Sequence, residues 1–120
     1  MGIPKFDFSV KQGNSGTIEN PAGLVVTIQD DQGQPRDLTG AEVVFYGHWD
    51  TQTNIRLTSA LGEIALSELE GRVTIPFAVD TFRSVSTRKT VRYELELRQA
   101  GEQRTVLEGL VNVVEGLNDD

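Results

Sequence analysis

The chain has 120 residues, no cysteine and a net charge of -7 at pH 7. That length favours one domain, residues 1–120, large enough to bury a core without cross-links. The missing thiols exclude a disulfide framework and a thiolate metal site, and scattered basic residues in an acidic chain argue against nucleic acid as a partner.

The opening MGIPKF lacks the basic and apolar blocks of a secretory leader. Phe6 stands where a myristoylation signal needs Ser or Thr. No apolar run approaches the length that spans a bilayer, so no membrane partner is expected. Synthesis in a cytoplasm is the expectation.

From Lys5 onward the pattern alternates. KFDFSVK (5–11) sets Phe6, Phe8 and Val10 against Lys5, Asp7, Ser9 and Lys11, a half-buried strand. GNSG (13–16) and NPAG (20–23) are turn chemistry. LVVTIQ (24–29) is a second strand with Leu24, Val26 and Ile28 inward. DDQGQP (30–35) makes a tight connection. NIRLTSALGEIAL (54–66) reads as two short strands around Gly62.

GRVTIPF (71–77) puts Val73, Ile75 and Phe77 on one face. Pro76 cannot donate to a ladder, so this strand is an edge or ends there. In AVDTFRSVS (78–86), Val79, Phe82 and Val85 recur every third residue, which predicts one short helical turn. TVRYELELR (90–98) is the clearest strand, with Val91, Tyr93, Leu95 and Leu97 inward. QAGEQ (99–103) is a hairpin turn, RTVLEGLVNVVEG (104–116) the last strand, and 117–120 a frayed acidic tail. Seven to nine short strands with regular turns predict an all-β, antiparallel sandwich.

The stretch AEVVFYGHW (41–49) holds the single histidine and the single tryptophan. Parity places Ala41, Val43, Phe45, Gly47 and Trp49 on the core side, and Glu42, Val44, Tyr46 and His48 on the wet side. Gly47 leaves a gap in the inward row, the mark of a bulge or a close neighbour. His48 has no base-orienting partner on its own strand, and no nucleophile elbow occurs, so no catalytic residue is nominated and no enzyme is expected. One imidazole cannot build a His-rich metal site, and no cofactor is implied. Asp30, Asp31 and Asp37 flank a glycine loop, but not at EF-hand spacing, and a plain turn is the stronger reading.

Val44, Tyr46 and His48 are apolar or amphipathic on a side that should be wet. Val106, Leu110 and Val114 share the parity of Glu108 and Asn112 in the last strand. Such a face is covered either by this chain or by another subunit. The candidate partner-contact residues are Val44, Tyr46, His48 and Leu110, with Pro76 and its edge strand. A carbohydrate-binding module for host-surface attachment is the alternative, and it needs Trp49 and Tyr46 both accessible.

Several stretches carry a resemblance. They are Gln12–Gly13, Asp31–Gly33–Pro35–Asp37–Leu38–Thr39–Gly40, Gly71–Val73–Thr74, Tyr93–Glu94–Leu95–Glu96–Leu97 and Leu107–Gly109–Val111–Val113. In this order they resemble small virion and tail proteins of tailed bacteriophages. They are similar to the Ig-like N-terminal domain of phage baseplate upper proteins, which join receptor-binding proteins to the baseplate. The resemblance implies an Ig-like fold and a non-enzymatic structural role in the tail, baseplate or neck. It implies residence in the virion, other virion proteins as partners, and a homo-oligomeric ring in the particle. The family usually has polar or basic residues where this chain has Val44, Tyr46 and His48.

Overall fold

Alternating segments become strands, and glycine- or proline-bearing segments become the connections between them. The computed structural model describes residues 3–12, 14–49, 52–78, 80–82, 85 and 90–114, with the backbone alone at 52–54. Its strands are β1 (Phe8–Lys11), β2 (Leu24–Thr27), β3 (Glu42–Trp49), β4 (Gln52–Thr58), β5 (Ala65–Ser67), β6 (Arg72–Ile75), β7 (Thr90–Gln99) and β8 (Glu102–Val114). One sheet has the order β1-β8-β7-β3-β4 and the other β2-β6-β5. This all-β sandwich is Ig-like in its strand order. The trio β3, β7 and β8 takes the places of C, F and G, and β2, β6 and β5 those of B, E and D.

Pairing is antiparallel except between β1 and β8, which run parallel from Phe8↔Val111 to Lys11↔Val114. Parallel neighbours need a long connection. These two are the first and last strands, so the rest of the fold provides it.

The core lies between the sheets and is centred on aromatic rings. Phe45 of β3 stacks on Tyr93 of β7, with centroids 5.4 Å apart. Phe77, just after β6, meets Phe45 at 5.2 Å and Phe8 at 5.6 Å. These contacts join the two sheets, and each such pair adds about 1 kcal/mol beyond area burial. Val91, Tyr93, Leu95 and Leu97 are all buried, as parity predicts.

The turns follow their residues. Ala100 (φ 54) and Gly101 (φ 84) both take positive φ between β7 and β8, the two-residue geometry that suits strand twist. Asp30 Oδ1 accepts from the amides of Gln32 (2.9 Å) and Gln34 (3.0 Å), closing the 30–35 connection. Pro76 ends β6, and Phe77 follows at φ 52, rare for a bulky residue.

Four expectations are corrected. Phe6 is exposed at the rim, because β1 begins only at Phe8. Among the described residues the helical turns lie at Ser59–Leu61 and Glu68–Glu70. In the 78–86 segment, two separate turn bonds (Thr81 to Ala78, Val85 to Phe82) bury Phe82 and Val85. Val79, residues 83–84 and 86–89, the end of the last predicted strand (115–116) and the tail 117–120 lie outside the described residues. The strand before Pro76 is the middle of its sheet, so it offers no edge, although it does end there. Finally, a bulge at Leu95/Glu96 skips Val106, which turns to pack on the core.

Candidate functional site

The five-stranded sheet turns one face to the core and the other outward. Cross-strand register orders the outer face into rows. Glu42 lies opposite Arg98, Val44 opposite Glu96, Tyr46 opposite Glu94, and His48 opposite Arg92. On the far side of β3, Val44 faces Thr58 and Tyr46 faces Arg56. On the far side of β7, Glu94 faces Glu108 and Arg92 faces Leu110.

Arg98 organises the lower rows. Its Nε donates to Glu96 Oε1 (2.7 Å), its Nη2 to the Tyr46 hydroxyl (2.9 Å), and its Nη1 lies 3.8 Å from Glu42 Oε1. The Glu96 bond, with Tyr46 and Glu42 nearby, raises the guanidinium further above its already high range. Thr58 Oγ1 donates to Glu42 Oε2 (2.9 Å), and Gln103 donates to Glu96 Oε2 (3.2 Å).

Glu42, Tyr46, Thr58 and Glu96 surround Val44 by register, and Arg98 ties three of them together. Val44 is 0 % exposed within the single chain. It supports the face from beneath and presents no surface to a partner. The outward valine is thus covered by polar side chains of its own sheet, a burial that adds about 2 kcal/mol.

The upper rows are more open. The rings of Tyr46 and His48 stack with centroids 6.2 Å apart, and the Arg56 guanidinium sits 6.0 Å from the Tyr46 centroid. His48 Nε2 lies 3.5 Å from Glu94 Oε1. Tyr46 and His48 are half-buried, whereas Leu110 is 42 % exposed. Among the described residues, Arg56 and Arg92 have no carboxylate at ion-pair distance. Pro76 is exposed after the middle strand of the other sheet, apart from these residues.

Beside Leu110 the N-terminal segment closes on β8. The Leu110 amide donates to Asp7 Oδ1 (2.9 Å), and the Tyr93 hydroxyl donates to the Phe6 carbonyl. Burial pushes the Tyr93 phenol well above its usual range, and Asp7 adds to this. A cleft of about 480 Å³ opens here between Lys5, Asp7, Arg92, Glu94, Glu108 and Leu110.

Gly47 meets both expectations for its gap. The β3–β4 register shifts between Gly47 and His48, and a Cβ at Gly47 would lie 3.1 Å from that of Ile55. Trp49 packs against the core, on the opposite side of β3 from Tyr46, so the two do not form one sugar platform. The carboxylates of Asp30 and Asp37 serve their own turns, and Asp37 Oδ1 accepts from Thr39 Oγ1 (2.6 Å) and its amide (2.9 Å). Among the described residues, no group of three His, Cys, Asp or Glu side chains is placed to hold a metal.

Parity alone finds Tyr46, His48 and Leu110. It misses Arg98, Thr58 and Glu96, whose roles depend on which strands pair and in what register. It also misses Asp7, which reaches Leu110 across the length of the chain. No protein-family model matches this chain, and no curated protein matches its sequence.

Proposed function

We propose that this chain is a non-enzymatic structural component of a phage particle, in the tail, baseplate or neck, acting through subunit–subunit contacts. One observation carries the assembly role. The outer face of the five-stranded sheet holds Tyr46, His48, Arg56, Arg92 and exposed Leu110 over a floor fixed by Arg98. Tyr and Arg are enriched at protein interfaces, and fixed side chains lose little entropy on docking. The phage setting is supported by the order of turn and strand motifs, from the Asp31–Gly40 connection to the closing Leu107–Val113 strand. Other virion proteins and further copies in a ring are the partners this reading assigns.

The test is mass spectrometry of purified particles and separated tails, followed by incorporation of Arg92→Glu/Leu110→Glu. Both side chains are exposed, so the variant should fold with the far-ultraviolet spectrum of the parent and be lost from particles. A chain absent from particles overturns the phage reading. A folded variant that is incorporated normally overturns the assigned face.

A further inference from the structure

Four strands end the two sheets: β1 and β4 in one, β2 and β5 in the other. Three of these edges are short, covered or charged. The Ile18 amide donates to the Ser9 carbonyl (2.8 Å) and the Ser9 amide to Glu19 Oε1 (3.2 Å), closing β1. Glu63 caps only the Thr58 end of β4, taking the Thr58 amide at 3.0 Å and returning its own amide to the Thr58 carbonyl at 3.1 Å, and the exposed Arg56 puts a charge on the rest of that edge. β5 has only 3 residues.

β2 is different. The Ile28 amide donates to the Gly71 carbonyl and the Ile28 carbonyl accepts from Arg36, both at 2.8 Å. The main-chain groups of Ile28, Val26 and Leu24 therefore face β6. Alternation turns those of Val25, Thr27 and Gln29 the other way. Among the described residues these outward groups have no hydrogen-bond partner. Thr27 and Gln29 line an open groove of about 460 Å³, together with Ile3, Pro4 and the Arg104–Leu107 segment. Natural edges are protected by lysine, proline or a bulge. LVVTIQ (24–29) has no lysine or proline, its β2–β6 register is unbroken, and Val25 is 42 % exposed.

We propose that β2 is a self-pairing edge, to which a second copy of this chain adds its own β2 antiparallel, across a two-fold axis through Thr27. Val25 then lies opposite Gln29 of the second copy, and Thr27 opposite Thr27. Each pair exchanges two main-chain bonds, and a Thr–Thr cross-strand pair is itself favourable. Charge does not oppose this occupant. The chain carries -7, yet Leu24–Gln29 is uncharged. In this register Asp30 and Asp31 fall opposite Leu24 and Gly23, so the acidic turns of the two copies do not meet. The core-side Val26 lies opposite Ile28 of the second copy, which extends the apolar layer. The contact merges two three-stranded sheets into one and is independent of the outer face proposed above for assembly.

The test uses the isolated chain, so it does not depend on any particle. Light scattering should give twice the 13.2 kDa chain mass at high protein concentration. Thr27→Lys, an outward substitution on the edge, should return the monomer mass with an unchanged far-ultraviolet spectrum. The chain has no cysteine, so single-cysteine variants report register directly. Thr27→Cys should oxidise to a covalent dimer, since antiparallel partners have Cα atoms about 5.5 Å apart. Val25→Cys should not, because it faces Gln29. Leu110→Glu should leave the dimer intact. A wild-type chain that stays monomeric, equal cross-linking of both cysteine variants, or a dimer lost with Leu110→Glu would each overturn the proposal. A monomer would leave this edge to a foreign strand.

Discussion

Along its outer face β7 reads Arg92, Glu94, Glu96, Arg98, a charge order that is the same from either end. The two ends nevertheless do different things. Arg98 reaches Glu96, Glu42 and the Tyr46 hydroxyl. Arg92 is exposed, with His48 on one side and Leu110 on the other. The difference comes from the neighbours: β3 offers a carboxylate at one end and an imidazole at the other, and β8 offers Gln103 at one end and a leucine at the other. An alternating charge pattern therefore says that a face is wet. Register decides whether its arginines hold the fold or remain available to a partner.

The largest effect is expected behind the open end, where the N-terminal segment is fixed. A Cβ at Gly109 would lie 2.0 Å from the Phe6 carbonyl oxygen. Both the obstacle and the strand are backbone, so neither can rotate aside. Gly109→Ala should push the segment off β8 and cost about 3 kcal/mol, the upper range for overpacking. It should also loosen the Tyr93–Phe6 bond. Urea unfolding measures the loss directly. A variant within about 0.5 kcal/mol of the parent would show that Leu110 does not depend on this close approach.

The next effect separates the two arginines. Arg98→Ala removes the group that joins Glu42, Glu96 and Tyr46 and uncovers Val44, so it should lower the thermal midpoint clearly. Arg92→Ala should change stability by less than about 0.5 kcal/mol, as surface substitutions do. Equal losses in the two variants would erase the distinction between a structural and an available end. In the assembly reading the order reverses, and Arg92→Ala should weaken incorporation more than it weakens the fold.

Much of this fold was legible because period two survives wherever pairing is regular. The Tyr93 row, the gap at Gly47, the stop at Pro76 and the hairpin at Ala100–Gly101 all follow from local residue chemistry. The misreadings occur where non-local geometry intervenes. Val106 changed sides because β8 has an extra residue opposite β7, and nothing in its neighbours announces that. Val44 looked like a partner contact because its cover, Arg98, lies 54 positions away in sequence and reaches it only through the β3–β7 register. Phe6 fitted the alternation but precedes the strand. The candidate face was thus visible as a set of out-of-place apolar residues, and the structure divides that set into a buried support and an exposed surface.

The smallest effect tests the clamped end through its turn. Gln99, next to Arg98, donates to the carbonyls of Asp37 (2.9 Å) and Thr39 (3.1 Å), and accepts from Arg36 Nε (2.9 Å). Asp37 closes that turn through the hydroxyl and amide of Thr39, and these bonds hold its carboxyl below the usual 3.8. A carboxyl lowered on folding binds fewer protons in the folded state than in the unfolded chain. Its contribution is therefore complete above the unfolded value of about 4 and fades as pH falls through the lower folded value. Asp37→Asn keeps an oxygen acceptor but cannot ionise. The parent should be slightly more stable than this variant at neutral pH, and the gap should narrow below about pH 4. Thermal midpoints of both proteins from pH 7 to pH 2.5 would show it. A gap that stays constant with pH would mean that the turn does not use the charge of Asp37, and that the clamped end owes its rigidity to Gln99 and Arg98 alone.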